Sequence, residues 1–134
     1  MIDVIKGHGS IQPVELKEFH KICLRRKDLC KLVTHFDTLT EMEQKDYKKN
    51  IKGAFVRVTY ARTYVVGLID DMIVGSEAYK VEQRETKTQI VLRNGKKYKQ
   101  FKLGLISDQY VTESEFKKCQ RDNRFITIDK EYIN

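Results

Sequence analysis

The spacing of apolar residues changes at Gly53, and this change limits what the chain can fold into. Before it, apolar residues recur at steps of three and four, which is typical of helices. Residues 54–103 instead alternate short β-branched and aromatic segments with turn residues, a pattern typical of strands. Many short strands separated by turns indicate a small, strongly bent sheet or barrel in an α+β fold. At 134 residues, the chain is expected to form one domain, 1–134.

Local signals predict three helices. Pro13 suits the first turn of one, and apolar residues of Arg26–Phe36 share one face of the second. Thr112-Glu113-Ser114-Glu115 is a capping box, in which the side chains of the first and last residues bond each other's backbone amides. It predicts a helix from Glu113 to Asp122. The polar stretch 37–50 either extends the second helix or forms a loop.

The predicted strands lie at residues 54–60, 63–69, 72–74, 78–81, 88–92 and 97–103. Asp70-Asp71 and Gly75-Ser76 are interpreted as turns between them, and Asn94-Gly95 is a strong hairpin signal. A strand-like segment also lies at 125–128, near the polar end of the chain. The sequence therefore predicts a bent barrel of five or six strands flanked by N- and C-terminal helices.

Positive charge is the main clue to function. The chain has 26 Lys and Arg against 19 Asp and Glu, a net charge of +7, which indicates an anionic partner. The basic residues gather at 21–31, 48–62 and 93–102, and the acidic ones at 37–46 and 70–85. These basic clusters either converge on one face or lie on three solvated faces, and the sequence leaves both arrangements open.

The usual signatures of catalysis and metal binding are absent from the sequence. There is no G-x-S-x-G, no glycine-rich phosphate loop and no H-E-x-x-H. The three histidines and three cysteines lack zinc-ligand spacing. No 18-residue apolar stretch or apolar leader is present. We therefore expect neither an enzyme, a cofactor, a metal site nor a membrane segment, and we expect reduced cysteines in an intracellular protein.

Three places could hold an anion. Arg26 lies at a helix start, where backbone amides also face anions. Arg57 lies inside an apolar strand, on the same side as Phe55. Residues 97–102 interleave basic and aromatic side chains, which could neutralise phosphates and stack on bases. An ordinary surface role stays open for each of them.

Three motifs resemble the Plus-3 domain, which is named after three positive positions and found in the Rtf-type subunit of the Paf transcription-elongation complex. Residues 53–58 match its G-x-F-V-R-[IV] strand, and residues 24–29 match its L-x-R-x-x-L helix start. Residues 106–116 match its [VI]-S-[ND]-Q-x-[FV]-T-x-x-E-[FC] segment. The resemblance covers residues 14–120, and the ends 1–12 and 124–134 lie outside it.

The resemblance implies a Tudor-type small barrel clasped by helices and acting in the nucleus, in transcription or chromatin. Its expected partners are the phosphorylated C-terminal repeats of the large subunit of the DSIF elongation factor, single-stranded nucleic acid, and other Paf-complex or chromatin proteins. Arg26 would contact the phosphate, and Lys99 would supply a second positive charge. Phe101 and Leu105 would line a peptide groove. Lys97 and Arg57 are the further candidates for anion binding.

Two departures from the family pattern leave the native partner open. Val65 lies where the family often has an arginine after the tyrosine that opens the strand. Residues 34–50 form a longer segment, closer to that of plant proteins that carry Plus-3 beside SWIB and GYF domains. A third function, reading methylated lysine, would need an aromatic cage. Its candidates are Tyr60, Tyr64, Tyr79 and Tyr98.

Overall fold

The computed structural model describes residues 15–122, and within them the chain forms an α+β fold with one antiparallel sheet. The elements are α1 (Leu16–His20), α2 (Arg26–Phe36), α3 (Glu41–Ile51), β1 (Phe55–Tyr60), β2 (Thr63–Val81), β3 (Arg84–Asn94), β4 (Lys97–Lys102), a 3-10 helix (Leu103–Leu105) and α4 (Glu113–Asp122). The α+β class is therefore confirmed.

Thr–Glu capping boxes mark the starts of α3 and α4. The predicted bounds of α2 and α4 are confirmed, and at the start of α4 the amide of Glu115 donates to Oγ1 of Thr112 at 3.3 Å. Residues 37–50 neither extend α2 nor form a loop. They contain a separate helix, because Thr40 and Glu43 form a second capping box that restarts helical structure.

Within residues 15–122 the structure has four strands where five or six are predicted, because residues 63–81 form one long strand. Its register against β3 shifts between Ile69 and Asp71, where β2 carries one extra residue, and again between Val74 and Tyr79. The apparent turns at 70–71 and 75–76 are thus irregularities that bend a continuous strand. The segment 125–128 lies outside the described residues. The predicted β3–β4 hairpin is confirmed, with Gly95 at φ +63° in its loop.

The sheet is open, with the order β1-β2-β3-β4, and does not form the expected closed barrel. It curls far enough that the ring of Tyr60 on β1 lies 6.2 Å from that of Phe101 on β4. After β4 the chain turns into the 3-10 helix, so only Ile106 pairs with β1, in a single bridge to Val58. A second bridge, from Cys23 to Phe55, covers the other part of this edge. The edge of β1 is thereby protected without a closing strand.

The strand β1 lies between two apolar clusters. Val56 and Val58 face a larger core with α2, α3 and the 3-10 helix, whereas Phe55 faces a smaller cluster built by α1 and α4. Both faces of β1 are buried, which explains its nearly continuous apolar sequence. Arg57 shares the face of Phe55, as alternation predicts, and so points toward α4.

No helix within residues 15–122 has the length and apolar character needed to cross a bilayer. In the same range, no three His, Cys, Asp or Glu side chains are grouped as metal ligands. Burial raises the pKa of the Cys23 thiol to about 12, so this thiol stays protonated at neutral pH.

The β1–β2 hairpin turns on two non-glycine residues, Ala61 (φ +52°) and Arg62 (φ +65°). A left-handed conformation costs an L-residue roughly 1–2 kcal/mol, and glycine adopts it without that cost. Glycine also gains entropy in the unfolded chain, which offsets part of this relief. We therefore expect Arg62→Gly to raise the free energy of unfolding by only about 0.5–1 kcal/mol, measured by urea denaturation. Arg62→Ala removes the same charge but keeps Cβ, and an equal gain from it would contradict this account.

Candidate anion-binding site

The start of α2 is docked on the segment that follows β4. The amide of Arg26 donates to the carbonyl of Ser107 at 3.1 Å, and the amide of Lys27 donates to Oδ1 of Asp108 at 2.9 Å. The carboxylate of Asp108 therefore lies at the positive end of the helix. Two of the motifs, at 24–29 and 106–116, meet at this point.

The guanidinium of Arg26 donates through all three of its nitrogens. Nε donates to Oε2 of Glu82 at 2.9 Å, Nη1 to the carbonyl of Ile106 at 3.2 Å, and Nη2 to Oδ2 of Asp108 at 3.3 Å. Nε and Nη2 form one edge of the planar group, the geometry that suits two oxygens of one anion. Here two different carboxylates supply those oxygens. Arg26, Glu82 and Asp108 are called the Arg26 cluster below.

The contacts of the Arg26 cluster are partly open to solvent. The side chains of Arg26, Glu82 and Asp108 are 31%, 38% and 30% exposed. Ion pairs this exposed contribute about 0–1 kcal/mol, so an incoming anion could replace one of the carboxylates. Burial raises the pKa of the neighbouring Cys30 thiol and the charge of Glu82 raises it further, while Arg26 and Arg84 act in the opposite direction.

The basic residues of β4 form a second group. Lys97 and Lys99 are exposed and share a strand face with Phe101. Nζ of Lys99 lies 4.9 Å from the ring of Tyr60. Phe101 is only 6% exposed and packs edge-on against Tyr60, so of these two rings it is Tyr60 that faces solvent. Leu105, in the 3-10 helix, is 43% exposed.

The segment 103–106 connects the two groups. It follows β4 directly, and the carbonyl of Ile106 accepts the Nη1 bond from Arg26. Ile106 also pairs with Val58, two residues before Tyr60 on β1. Arg26 and Lys99 therefore lie in separate local clusters that the same short segment joins.

Arg57 is engaged inside the protein. Nε and Nη2 donate to the two carboxylate oxygens of Glu115 at 2.8 and 3.0 Å, and Nη1 donates to Oγ of Ser107 at 2.9 Å. Its Cζ lies 3.7 Å from the ring centroid of Tyr64, and the side chain is 12% exposed. Arg57 thus joins β1, α4 and the 106–108 segment, so all three of its guanidinium nitrogens are engaged within the protein.

The four tyrosines considered for a methyl-lysine cage each lie beside a cation of the protein itself. The distances from cation to ring centroid are 4.9 Å for Tyr60 and Lys99, 3.7 Å for Tyr64 and Arg57, 5.4 Å for Tyr79 and Lys102, and 5.9 Å for Tyr98 and Arg93. A cage needs several rings around one cation. Four separate pairs argue against that function.

A family model for the Plus-3 domain matches residues 18–123, which include both basic groups and the Arg57 contacts. The chain belongs to the Plus-3 domain family. No curated protein sequence matches it significantly. Membership confirms the resemblance drawn from the three motifs and makes this chain a domain of a binding family associated with transcription.

Sequence reasoning missed three residues of the candidate site. Asp108 lies inside a quoted motif, next to Ser107, but nothing in its spacing connects it to Arg26. In the sequence, Glu82 is only one acid of the 70–85 cluster. Tyr60 is a candidate for an aromatic cage, although its contacts are with Lys99 and Phe101. Each of these roles depends on contacts between distant parts of the chain.

Removing Arg57 should destabilise the fold strongly, because it leaves the largely buried carboxylate of Glu115 without its partner. We expect Arg57→Ala to lower the free energy of unfolding by about 3 kcal/mol, measured by urea denaturation. Arg62→Ala, at an exposed turn arginine, is the matched control and should cost far less. In a double-mutant cycle with Glu115→Ala, the two losses should not add; additive losses would exclude the proposed coupling.

The same ion pair should make stability depend on pH. Burial by itself raises the pKa of Glu115, but hydrogen bonds from Arg57 and Thr112 outweigh it and hold that pKa below its ordinary value of 4.5. The stabilisation is therefore present above pH 4.5 and is lost as the pH falls through the folded-state value. The difference in unfolding free energy between the wild type and Glu115→Gln should shrink in that range. Glu113→Gln, in the same turn, controls for charge removal, and a pH-independent difference would contradict the prediction.

Proposed function

We propose that this Plus-3 domain is a non-enzymatic module that binds a phosphorylated peptide through Arg26, with Lys99 and Lys97 contributing further positive charge. The observation that carries the proposal is the Nε–Nη2 edge of Arg26. This edge holds two carboxylate oxygens at a partly exposed position. A phosphate group presents two oxygens to one guanidinium edge in the same way.

The surface beside Arg26 suits a peptide chain. Leu105 offers an exposed apolar contact. Phe101 is buried and packs edge-on against Tyr60, so it supports the Tyr60 ring from the core side. Lys99 provides a point charge on a flexible stem rather than a planar pair of donors. We therefore assign phosphate orientation to Arg26 and general attraction to Lys97 and Lys99.

Family membership supports the choice of partner. The proposed ligand is the phosphorylated C-terminal repeat region of the DSIF large subunit. Binding would take place in the nucleus, and the proposed further partners are Paf-complex or chromatin proteins. The looser similarity to plant proteins that carry SWIB and GYF domains leaves open a Plus-3 module working outside the Paf complex.

Single-stranded nucleic acid is the second candidate ligand, and exposed tyrosines favour it. Tyr60 and Tyr98 are 45% and 57% exposed, and each lies beside a basic side chain. Bases can stack on such rings while lysines neutralise the phosphates. This mode predicts affinity that falls steeply with salt and varies little with sequence.

Phosphate dependence tests the first proposal. We expect a phosphothreonine repeat peptide to bind about tenfold or more tightly than its unphosphorylated twin, because hydrogen bonds to charged groups contribute about 1.5–3 kcal/mol. Fluorescence anisotropy would measure both affinities. Arg26→Ala should remove the preference, and Lys31→Ala, at an exposed position of the same helix, should keep it.

Equal binding of the two peptides, or an intact preference in Arg26→Ala, would overturn the proposal. A single-stranded oligothymidine, titrated at several salt concentrations, distinguishes the second candidate. Tight, strongly salt-dependent binding of the oligonucleotide together with equal binding of the two peptides would favour nucleic acid.

A further inference from the structure

Glu82 occupies the place on Arg26 that a phosphate oxygen would need. Its Oε2 accepts from Nε of Arg26 at 2.9 Å, across 56 residues of sequence. The other oxygen on this edge comes from Asp108, whose second oxygen is also held by the amide of Lys27. Asp108 is therefore bound twice and Glu82 once, so Glu82 is the easier of the two to displace.

The backbone holds Glu82 in this position. Glu82 (φ +51°) and Gln83 (φ +66°) form the two-residue turn between β2 and β3, closed by the pair Val81 and Arg84. Both residues have left-handed conformations without being glycine, which is costly for L-residues. A two-residue hairpin turn of this kind requires positive φ at both central residues, as Ala61 and Arg62 also show, so the hairpin fixes the backbone at Glu82. The carboxylate is thus delivered to Arg26 by a defined turn.

We propose that Glu82 is a specificity-determining residue, an internal competitor that only a phosphomonoester displaces from Arg26. The proposal rests on the proposed phosphopeptide function. A peptide carboxylate or a nucleic-acid phosphodiester carries one negative charge, as Glu82 does, so replacing Glu82 with either gains little and costs the entropy of association. A phosphothreonine carries between one and two charges and three acceptor oxygens, which makes the exchange favourable.

The charges around the site fit a competitor that can be released. The ion pair between Glu82 and Arg26 is about one-third exposed on both sides, so breaking it costs little. Asp108 stays in place and keeps Arg26 oriented through Nη2. Arg84, on the same hairpin, bonds Oγ1 of Thr34 instead, so it does not hold Glu82 on Arg26.

The test compares three peptides of one sequence, with phosphothreonine, threonine or glutamate at the same position, by fluorescence anisotropy. In the wild type, the glutamate peptide should bind no better than the threonine peptide. Glu82→Gln keeps the size and turn conformation of the residue but removes its charge. In this variant the phosphopeptide should bind about two- to fivefold more tightly than it binds the wild type. The affinity of the glutamate peptide should now exceed that of the threonine peptide.

Glu85→Gln is the matched control, since Glu85 lies on the same hairpin opposite Lys80 and loses the same charge. Its affinities should stay at wild-type values. If the wild type prefers the phosphopeptide but neither Glu82→Gln nor Glu82→Ser raises its affinity, Glu82 does not compete for Arg26 and the inference is overturned, while the proposed function stands. If the wild type shows no phosphate preference, both proposals are overturned. Glu82→Ser provides a second variant should the glutamine side chain retain the bond to Arg26.

Discussion

The ion pair between Arg57 and Glu115 determines where the rest of the candidate site lies. It joins β1 to α4, and Ser107 completes it through its hydroxyl. The backbone of Ser107 then bonds on both sides, because its amide donates to the carbonyl of Arg57 and its carbonyl accepts from the amide of Arg26. The position of Arg26 thus depends on contacts of Arg57. These two arginines, both from motifs in the sequence, thus have different surroundings: Arg57 is largely buried and Arg26 is partly exposed.

Elements marked by local chemistry could be predicted, and those set by distant contacts could not. The apolar face of α2, the capping box of α4 and the turn of the β3–β4 hairpin can each be recognised from residues that are close together in the sequence. The other two hairpins turn on Ala61-Arg62 and Glu82-Gln83, which lack the glycine or asparagine that usually marks such turns. The break at residues 61–62 is nevertheless predicted correctly. The turn-favouring pairs Asp70-Asp71 and Gly75-Ser76 instead lead to a wrong division of β2, which only bends there. The capping box of α3 was present in the sequence but was missed.

The site shows the same division between local and distant information. The motif at 24–29 drew attention to Arg26, but its carboxylate partners come from positions 56 and 82 residues away. No spacing rule connects them. Arg57 shows the converse, since an arginine in an apolar strand fits either a surface anion site or an internal ion pair. Only the placement of α4, which brings Glu115 onto the same face, distinguishes these two interpretations.

The net charge of +7 is therefore a poor guide to where an anion binds. In the cluster at 48–62, Arg57 is neutralised by Glu115 and Lys48 by Asp71, at 3.2 Å. Arg26 is itself surrounded by two carboxylates, so its immediate surroundings carry no positive surplus. The exposed lysines of β4 can raise the local concentration of any polyanion, but they do not discriminate between anions. Under the proposed function, discrimination therefore falls to Arg26, because there an incoming group must replace a bonded carboxylate rather than fill an empty positive surface.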